Sequence, residues 1–406
     1  MGEGADSLSW YVLHFCGGRG TRLWPLARLD RPKCLLTAPG HDHSLLQEAA
    51  LRLERVVEHD HVRFVTNEVA AASVRHQLME IDWEADMCAS QVLSASPDVG
   101  TAAILVAKAE QMACQAPGTL LLVSYPDDLI PYAEPELNRY RAAVRAAFRY
   151  AHGNTGWDAT YIGVKAERAD PFYGYLQPSL LSREDHEGFC VRPARLVEKP
   201  TREQAEMYVD AGWFWNPTVV VQVDRFVALC RSLYPALGEA LSRLVQQRPV
   251  PPLSEFVDQV SKVHRLAGES AEYAIFTDPS AHVCVLEADF TWQDAGTWEK
   301  LRQAGQRDAC GNVRLMSEPG LAPGPEITEC TVLAPDGKLV VARGLDGYLV
   351  VDTGDVLLIC PRDPEHLRAV AQSAKGPSGP GAPFVGKAVG YDIPGTLKCA
   401  TDGGDS

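Results

Sequence analysis

Glycines and basic side chains crowd one short stretch near the start of the chain: Cys16-Gly17-Gly18-Arg19-Gly20-Thr21-Arg22, then Arg28, Arg31 and Lys33. Glycines let a backbone approach a ligand closely and turn successive amides toward it, a nest suited to phosphate oxygens. Between Arg19 and Lys33 stand five basic residues and one acid, Asp30, a local +4 in a chain whose total is −15. The spacing is not a Walker A loop, because no Lys-Ser or Lys-Thr pair follows the glycines at that interval. A Gly-Gly-x-Gly alone fits a solvated basic turn equally well. The longer string fits a site for a small polyanion.

The elements that must carry this loop alternate. The apolar run 10–15 reads as a strand delivered into the glycine turn, and 62–66, 119–124 and 159–164 read as further strands. Helical periodicity covers 45–57, 68–78, 101–115 and 135–152. Apolar strands alternating with helices predict an α/β fold, a Rossmann-like doubly wound, mostly parallel sheet covered on both faces. Ligands of such sheets sit beyond the carboxyl ends of the strands, where the glycine turn lies. Beyond Phe189 the pattern is less regular, although Thr201 and Glu203 open a helix well. The Pro/Gly-rich stretch 318–325 reads as a linker, followed by β-like runs at 331–334, 339–342, 348–351 and 356–360 and a helix at 364–375. The predicted organisation is a larger domain over 1–307, a small mostly-β domain over 308–375 and a Gly/Pro-rich tail over 376–406.

Composition narrows the partners. Of the 406 residues 46% are hydrophobic and 22% charged, which is enough for one large core or two smaller ones. With 38 basic and 53 acidic residues, the chain is a poor candidate for nucleic acid or for anionic membrane. The apolar run 102–107 is far short of a membrane span, and the first residues are acidic where a signal peptide is basic. The 11 cysteines are scattered singly, several in apolar stretches (Cys16, Cys230, Cys284, Cys360), and read as reduced thiols of a cytoplasmic protein.

The string from Cys16 to Lys33 resembles the signature of the sugar-phosphate nucleotidyltransferases. Trp24-Pro25-Leu26 followed by Arg28 is similar to the mannose-1-phosphate guanylyltransferase branch. The likeness continues in order through Val65-Thr66-Asn67-Glu68, Asp127, Glu198-Lys199-Pro200, Trp215-Asn216 and Trp292-Gln293-Asp294-Ala295-Gly296-Thr297-Trp298. It reaches Gly344-Leu345 and Val350-Val351-Asp352-Thr353-Gly354-Asp355.

The resemblance implies an enzyme that joins a nucleoside triphosphate, GTP first, to a sugar 1-phosphate, mannose 1-phosphate first, with release of pyrophosphate. It implies that Gly17, Gly18, Gly20 and Thr21 cradle the triphosphate, that Arg22 and Lys33 neutralise it, and that Thr101 lies near the base. Asp127 and Asp294 would hold Mg²⁺; Lys199 would meet the sugar phosphate, while Gly174, Glu198 and Asn216 meet the sugar. The chemistry is coherent, since two polyanions must meet, Mg²⁺ takes oxygen ligands, and the attacking phosphate oxygen is already ionised. Taken singly, Asp127 and Asp294 also read as turn residues and Glu198-Lys199 as a surface pair. A homodimer is compatible with the resemblance.

Several positions depart from the family pattern. Pro217-Thr218 replaces Ser-Gly after Trp-Asn, Phe172 stands where the family has glycine, and Cys34 replaces a glutamine. Val99-Gly100-Thr101-Ala102-Ala103 replaces Arg-Asn-Thr-Ala-Pro, and Asp128 replaces a histidine. These changes leave open a different nucleotide or sugar, or a catalytically silent homologue that binds a nucleotide sugar and regulates a partner. His41-Asp42-His43 and His59-Asp60-His61 have the look of metal pairs but lack further ligands at a zinc spacing. Trp213-Phe214-Trp215 reads as wall packing more readily than as a stacking platform.

Overall fold

The computed structural model describes residues 10–373 apart from 19, 39–40, 97–98, 248, 264–265, 267–268, 271, 316–326, 336–337 and 339. The expected linker and tail lie outside the described residues.

Strand β1 (Trp10–Phe15) runs parallel to both β2 (Val62–Thr66) and β4 (Leu120–Ser124), and β3 (Val92–Ser94) extends this group parallel to β2. Alternate side chains of these strands enter two different cores. Trp10, Val12, Leu120 and Leu122 pack beneath Tyr140, Val144 and Phe148 of the helix Glu136–Gly153. Leu13, Phe15, Leu121 and Val123 pack beneath Leu105, Ala109 and Met112 of the helix Thr101–Gln115. Covered on both faces, the strands are predominantly apolar, with His14 in β1 and Arg63 in β2 as the polar residues inside the runs.

A short strand, β5 (Asp128–Leu129), precedes β6 (Ala159–Lys165), β7 (Gly174–Pro178), β8 (Glu184–His186), β9 (Phe189–Glu198), β10 (Phe214–Gln222) and β11 (Val283–Ala288). Ten strands form one sheet in the order β3-β2-β1-β4-β10-β6-β11-β9-β7, with β8 paired to β9. The sheet is mixed, which corrects the mostly parallel, doubly wound expectation. Only β1 to β4 and the β6–β11 pair are parallel; β10 is antiparallel to β4, β6 and β7, and β9 is antiparallel to β7, β8 and β11. Connection length explains one of these pairings. Glu187 and Gly188, at φ 48° and 84°, turn β8 directly into β9, and a two-residue turn can only join antiparallel strands.

Strand β12 (Gln293–Asp294) pairs antiparallel with β5, setting Asp294 opposite Asp128. The last strands, β13 (Val313–Arg314), β14 (Thr331–Leu333), β15 (Tyr348–Asp352) and β16 (Leu357–Pro361), make a separate four-stranded sheet followed by the helix Pro364–Ser373. Of the run expected as a strand at 339–342, residues 340–342 carry no ladder, although Val340 and Ala342 pack on Ile327 and Cys330. Leu349, Val351, Leu358 and Cys360 share a core with Leu23, Leu26, Ala27 and Leu36, so the small sheet backs the segment that follows the glycine turn.

Candidate active site

The glycine turn begins where β1 ends. Cys16 extends the ladder by donating its amide to Val65 O (2.7 Å), and its carbonyl accepts from Thr66 Oγ1 (3.2 Å) and Cys34 Sγ (3.3 Å). Cys34, a departure from the family pattern, is thus a buried brace for the turn. Gly18 and Gly20 hold φ of 116° and 58°, and a Cβ at Gly20 would come within 2.5 Å of Ala27 Cβ. Glycine is needed there for both conformation and space. Asn67 Nδ2 donates to Leu29 O (2.8 Å), and Arg28 forks onto both carboxylate oxygens of Asp355 (2.5 and 2.6 Å) and Thr353 Oγ1 (3.0 Å). Arg28 is therefore spent on the small sheet rather than on a ligand.

Gly17, Gly18, Gly20, Thr21, Arg22, Lys33, Thr101, Asp127 and Lys199 line one cavity of about 600 Å³. Thr101 opens its helix there, and its buried Oγ1 has no partner among the described residues. At the cavity's edge, the ammonium of Lys33 contacts Asp127 and lies 3.5 Å from Asp294 Oδ1. Asp294 is shaped from behind: Lys300 Nζ lies 3.0 Å from its Oδ2, and its amide donates to Tyr173 OH (3.3 Å). A Cβ at Gly296 would collide with that carboxylate.

The charges tune one another. Burial pulls the Lys33 ammonium below its usual range, against the attraction of Asp294. Burial alone would push the Asp294 carboxyl up, but Lys33 and Lys300 outweigh it and hold Asp294 ionised, below the usual carboxylate range. Asp128 goes the other way. Burial, reinforced by the Asp294 charge, pushes its carboxyl up to about 8. Two carboxylates that converge on one cation form a hard, oxygen-only donor pair. That donor set suits a divalent ion that completes its shell with phosphate and water.

Gly174, Glu198 and Asn216 meet a short way off. Gly174 pairs with Glu198 across β7 and β9, and a Cβ on Gly174 would lie 2.5 Å from both Asn216 Oδ1 and Glu198 Oε2. Lys199, at φ 48°, links this cluster to the cavity, its Nζ 3.0 Å from Glu198 Oε1. The residues nominated from the sequence thus fall into two adjoining groups.

The departures are accommodated. Pro217 is buried in β10 where the register against β6 shifts between Trp215 and Thr218, a bulge that needs no amide from proline. Thr218 Oγ1 donates to Val123 O (2.6 Å) and its backbone is not left-handed. Phe172 remains half exposed, its ring 5.1 Å from the Arg22 guanidinium. Neither Phe172 nor Pro217 lines the cavity. Of the histidine pairs, three members have packing or bonding partners: His61 Nδ1 bonds Trp10 O, His59 stacks on Trp83, and His41 pairs with Glu48. Among the described residues no group of three or more His, Cys, Asp or Glu could hold a metal. Trp213 stacks on Tyr208 and Trp215 packs on Tyr173, so the aromatic cluster is wall.

Sequence reasoning missed Lys300, Asp170 and Tyr173 behind Asp294, and Glu269 and Ser270 in the cavity wall. No local signal marks the last two; Glu269 enters by giving its carbonyl to the amide of Ala102 at a helix start (3.1 Å).

A family model described as nucleotidyl transferase matches residues 13–310. The chain belongs to the nucleotidyl transferase family. Mannose-1-phosphate guanylyltransferase of Klebsiella pneumoniae is 28% identical over 354 residues, covering 86% of this chain and 70% of that protein. The alginate biosynthesis protein AlgA of Pseudomonas syringae pv. tomato is 28% identical over 357 residues, with 86% and 68% covered. Among solved structures, a Thermus thermophilus protein described as mannose-1-phosphate geranyltransferase superposes with a TM-score of 0.71 at 25% identity, over 91% of this chain and 99% of that one. The glycine turn, Asp127 and Asp294 all fall within the stretch that marks the family. Among the described residues no helix is long and apolar enough to cross a membrane.

Proposed function

We propose that this nucleotidyl transferase makes a nucleoside diphosphate sugar and pyrophosphate from a nucleoside triphosphate and a sugar 1-phosphate, with GTP and mannose 1-phosphate as the substrate pair. The observation that carries the reading is the Lys33 ammonium set between Asp127 and Asp294, at the junction of the glycine-lined cavity and the Gly174–Glu198–Asn216 cluster. The names borne by the relatives supply the choice of guanine and mannose.

In this reading the amides of Gly17, Gly18 and Gly20 and the hydroxyl of Thr21 hold the triphosphate, and Arg22 neutralises it. Glu198 and Asn216 orient the sugar while Lys199 holds its phosphate. An oxygen of the sugar phosphate attacks the α-phosphorus; the new P–O bond forms as the bond to the β-phosphate oxygen breaks, and pyrophosphate carries away the electron pair. The nucleophile is already an anion, so positioning and charge neutralisation provide the catalysis. Asp127 and Asp294 would hold Mg²⁺, which when bound supplies charge neutralisation at the phosphates. Lys33 would then exchange its carboxylates for phosphate oxygens.

The test measures pyrophosphate release with Mg²⁺ for GTP, ATP, UTP, CTP and dTTP against a panel of sugar 1-phosphates. Turnover strongest with GTP and mannose 1-phosphate, and lost in Asp127→Asn and Asp294→Asn, is the expected result. Saturable nucleotide-sugar binding without turnover of any pair would overturn it in favour of a silent regulatory homologue.

A further inference from the structure

Lys300 breaks two local rules at once. It sits in the first turn of the helix Trp298–Ala304, where the helix dipole disfavours a cation, and its side chain is buried, where an unpaired ammonium is costly. Such violations concentrate where a side chain serves a site. The surroundings explain the placement. Lys300 Nζ lies 3.0 Å from Asp294 Oδ2, 3.0 Å from Asp170 Oδ2 and 4.0 Å from the centroid of the Tyr173 ring. Its backbone is fixed as well, since its amide donates to the capping Thr297 Oγ1 (3.3 Å) and its carbonyl accepts from Gln293 Nε2 (3.2 Å).

Asp170 leads into the turn that reaches the sugar side. Its Oδ1 accepts the amide of Phe172 (2.9 Å), its own amide donates to Tyr175 OH (2.9 Å), and its carbonyl accepts from that hydroxyl (3.1 Å). Gly174, whose open face meets Glu198 and Asn216, begins β7 directly after this turn. Tyr173 closes the circuit through its hydroxyl, which accepts the Asp294 amide. One buried cation therefore joins the carboxylate at the reacting centre to the turn that shapes the sugar cluster.

We propose that Lys300 is a positioning residue that locks the 170–173 turn and the start of β7 to Asp294, so that the sugar phosphate is presented in register with the reacting phosphate. The inference rests on the proposed function and adds to it a group that touches neither substrate. It occupies one oxygen of Asp294 and leaves the other, Oδ1, facing Lys33 and the cleft.

The test uses the full chain with Lys300→Met, which keeps most of the side-chain volume, Asp170→Asn, and the double variant. KM is measured separately for the nucleotide and for the sugar 1-phosphate that the native chain uses best. Each single variant is expected to raise the sugar-phosphate KM roughly tenfold, as for members of one ion-pair network, with the nucleotide KM within about twofold of native. The double variant is expected to be no worse than the weaker single one, because both cut the same link. Equal rises in both KM values, fully multiplicative effects, or an unchanged sugar-phosphate KM in a folded variant would each overturn the inference. Should Lys300→Met fail to fold, Asp170→Asn decides alone, by a raised or an unchanged sugar-phosphate KM. A native chain that turns over no substrate pair sinks the proposed function instead.

Discussion

On the loop side of the cleft one stretch of chain, Gly17 to Lys33, supplies the glycines together with Arg22 and Lys33, much of it as backbone, and Thr101 and Asp127 join it from elsewhere. On the side proposed for the sugar phosphate Gly174, Glu198 and Asn216 come from three strands, β7, β9 and β10, with the Glu198 and Asn216 side chains packed against the bare face of Gly174. The first arrangement needs a strand end, glycines at positive φ and something solid behind the loop. Parallel strands and the small sheet supply these. The second needs register, because a shift of one residue in β7 or β9 would turn its group to the other face. The loop side is thus tolerant of distant change and intolerant of bulk at its glycines, while the sugar side depends on pairings set far away in sequence.

The largest effect that would expose this contrast is at Gly174. An added methyl there meets Asn216 and Glu198 together at 2.5 Å, and both belong to the cluster. Displacing them by about an ångström is expected to cost roughly a hundredfold in turnover with the sugar phosphate. Gly174→Ala should nevertheless bind the nucleotide as native does, measured by calorimetry. Equal damage to nucleotide affinity would show that the two sides are one unit.

Next in size is a pH effect confined to the parallel side. His14 on β1 is wholly buried with neither ring nitrogen bonded among the described residues, and burial, helped by Arg52, lowers its pKa from 6.5 to about 3. Between those values the unfolded chain takes up a proton that the folded one refuses. Stability is therefore lost as pH falls below 6.5, by up to ~1.4 kcal/mol per pH unit from this residue. His14→Phe should unfold in urea with a shallower pH dependence between pH 6.5 and 4 than the native chain. Parallel curves would mean that this face of the sheet admits water or a proton.

A smaller effect is expected where the small sheet meets the loop. The Arg28–Asp355 fork is well formed, yet the Asp355 side chain is 56% exposed, so its contribution is limited to about 1 kcal/mol. Asp355→Asn should raise the KM for the nucleotide up to about fivefold and leave that for the sugar phosphate unchanged. A shift confined to the sugar phosphate would reverse the assignment of the small sheet to the loop side.

The same contrast governs what could be read before the fold was known. Strands β1, β2 and β4 are apolar apart from His14, Arg63 and the terminal Thr66 and Ser124, and the glycine turn announces itself through residues that any other side chain would disturb. Strands β7 to β10 are less legible, since β9 mixes half-buried and buried positions without strict alternation and β10 contains Pro217 at a bulge. Their antiparallel pairings made the sheet mixed, against the parallel expectation. Gly174, Glu198 and Asn216 were nominated by resemblance, because no spacing links positions so far apart. Lys300 was missed because a lysine beside a glutamate on a short helix looks like surface; only the fold brings Asp170 and Asp294 to it.

Phe172 is where the two sides touch, and it gives the finest test. Its ring belongs to the turn that Asp170 and Lys300 hold, and it stacks against Arg22 of the glycine loop at 5.1 Å. A half-exposed cation–π contact is worth about 0.5–1 kcal/mol, so removing it should change an affinity only two- to fivefold. If the ring merely shelters Arg22, Phe172→Ala should raise the KM for the nucleotide alone. If it transmits order between the sides, occupancy by nucleotide should tighten sugar-phosphate binding in the native chain, and Phe172→Ala should reduce that gain in the same proportion. Calorimetric titration of the sugar phosphate, with and without nucleotide, in both proteins separates the two, and a native chain with no gain at all confines the contact to the loop side.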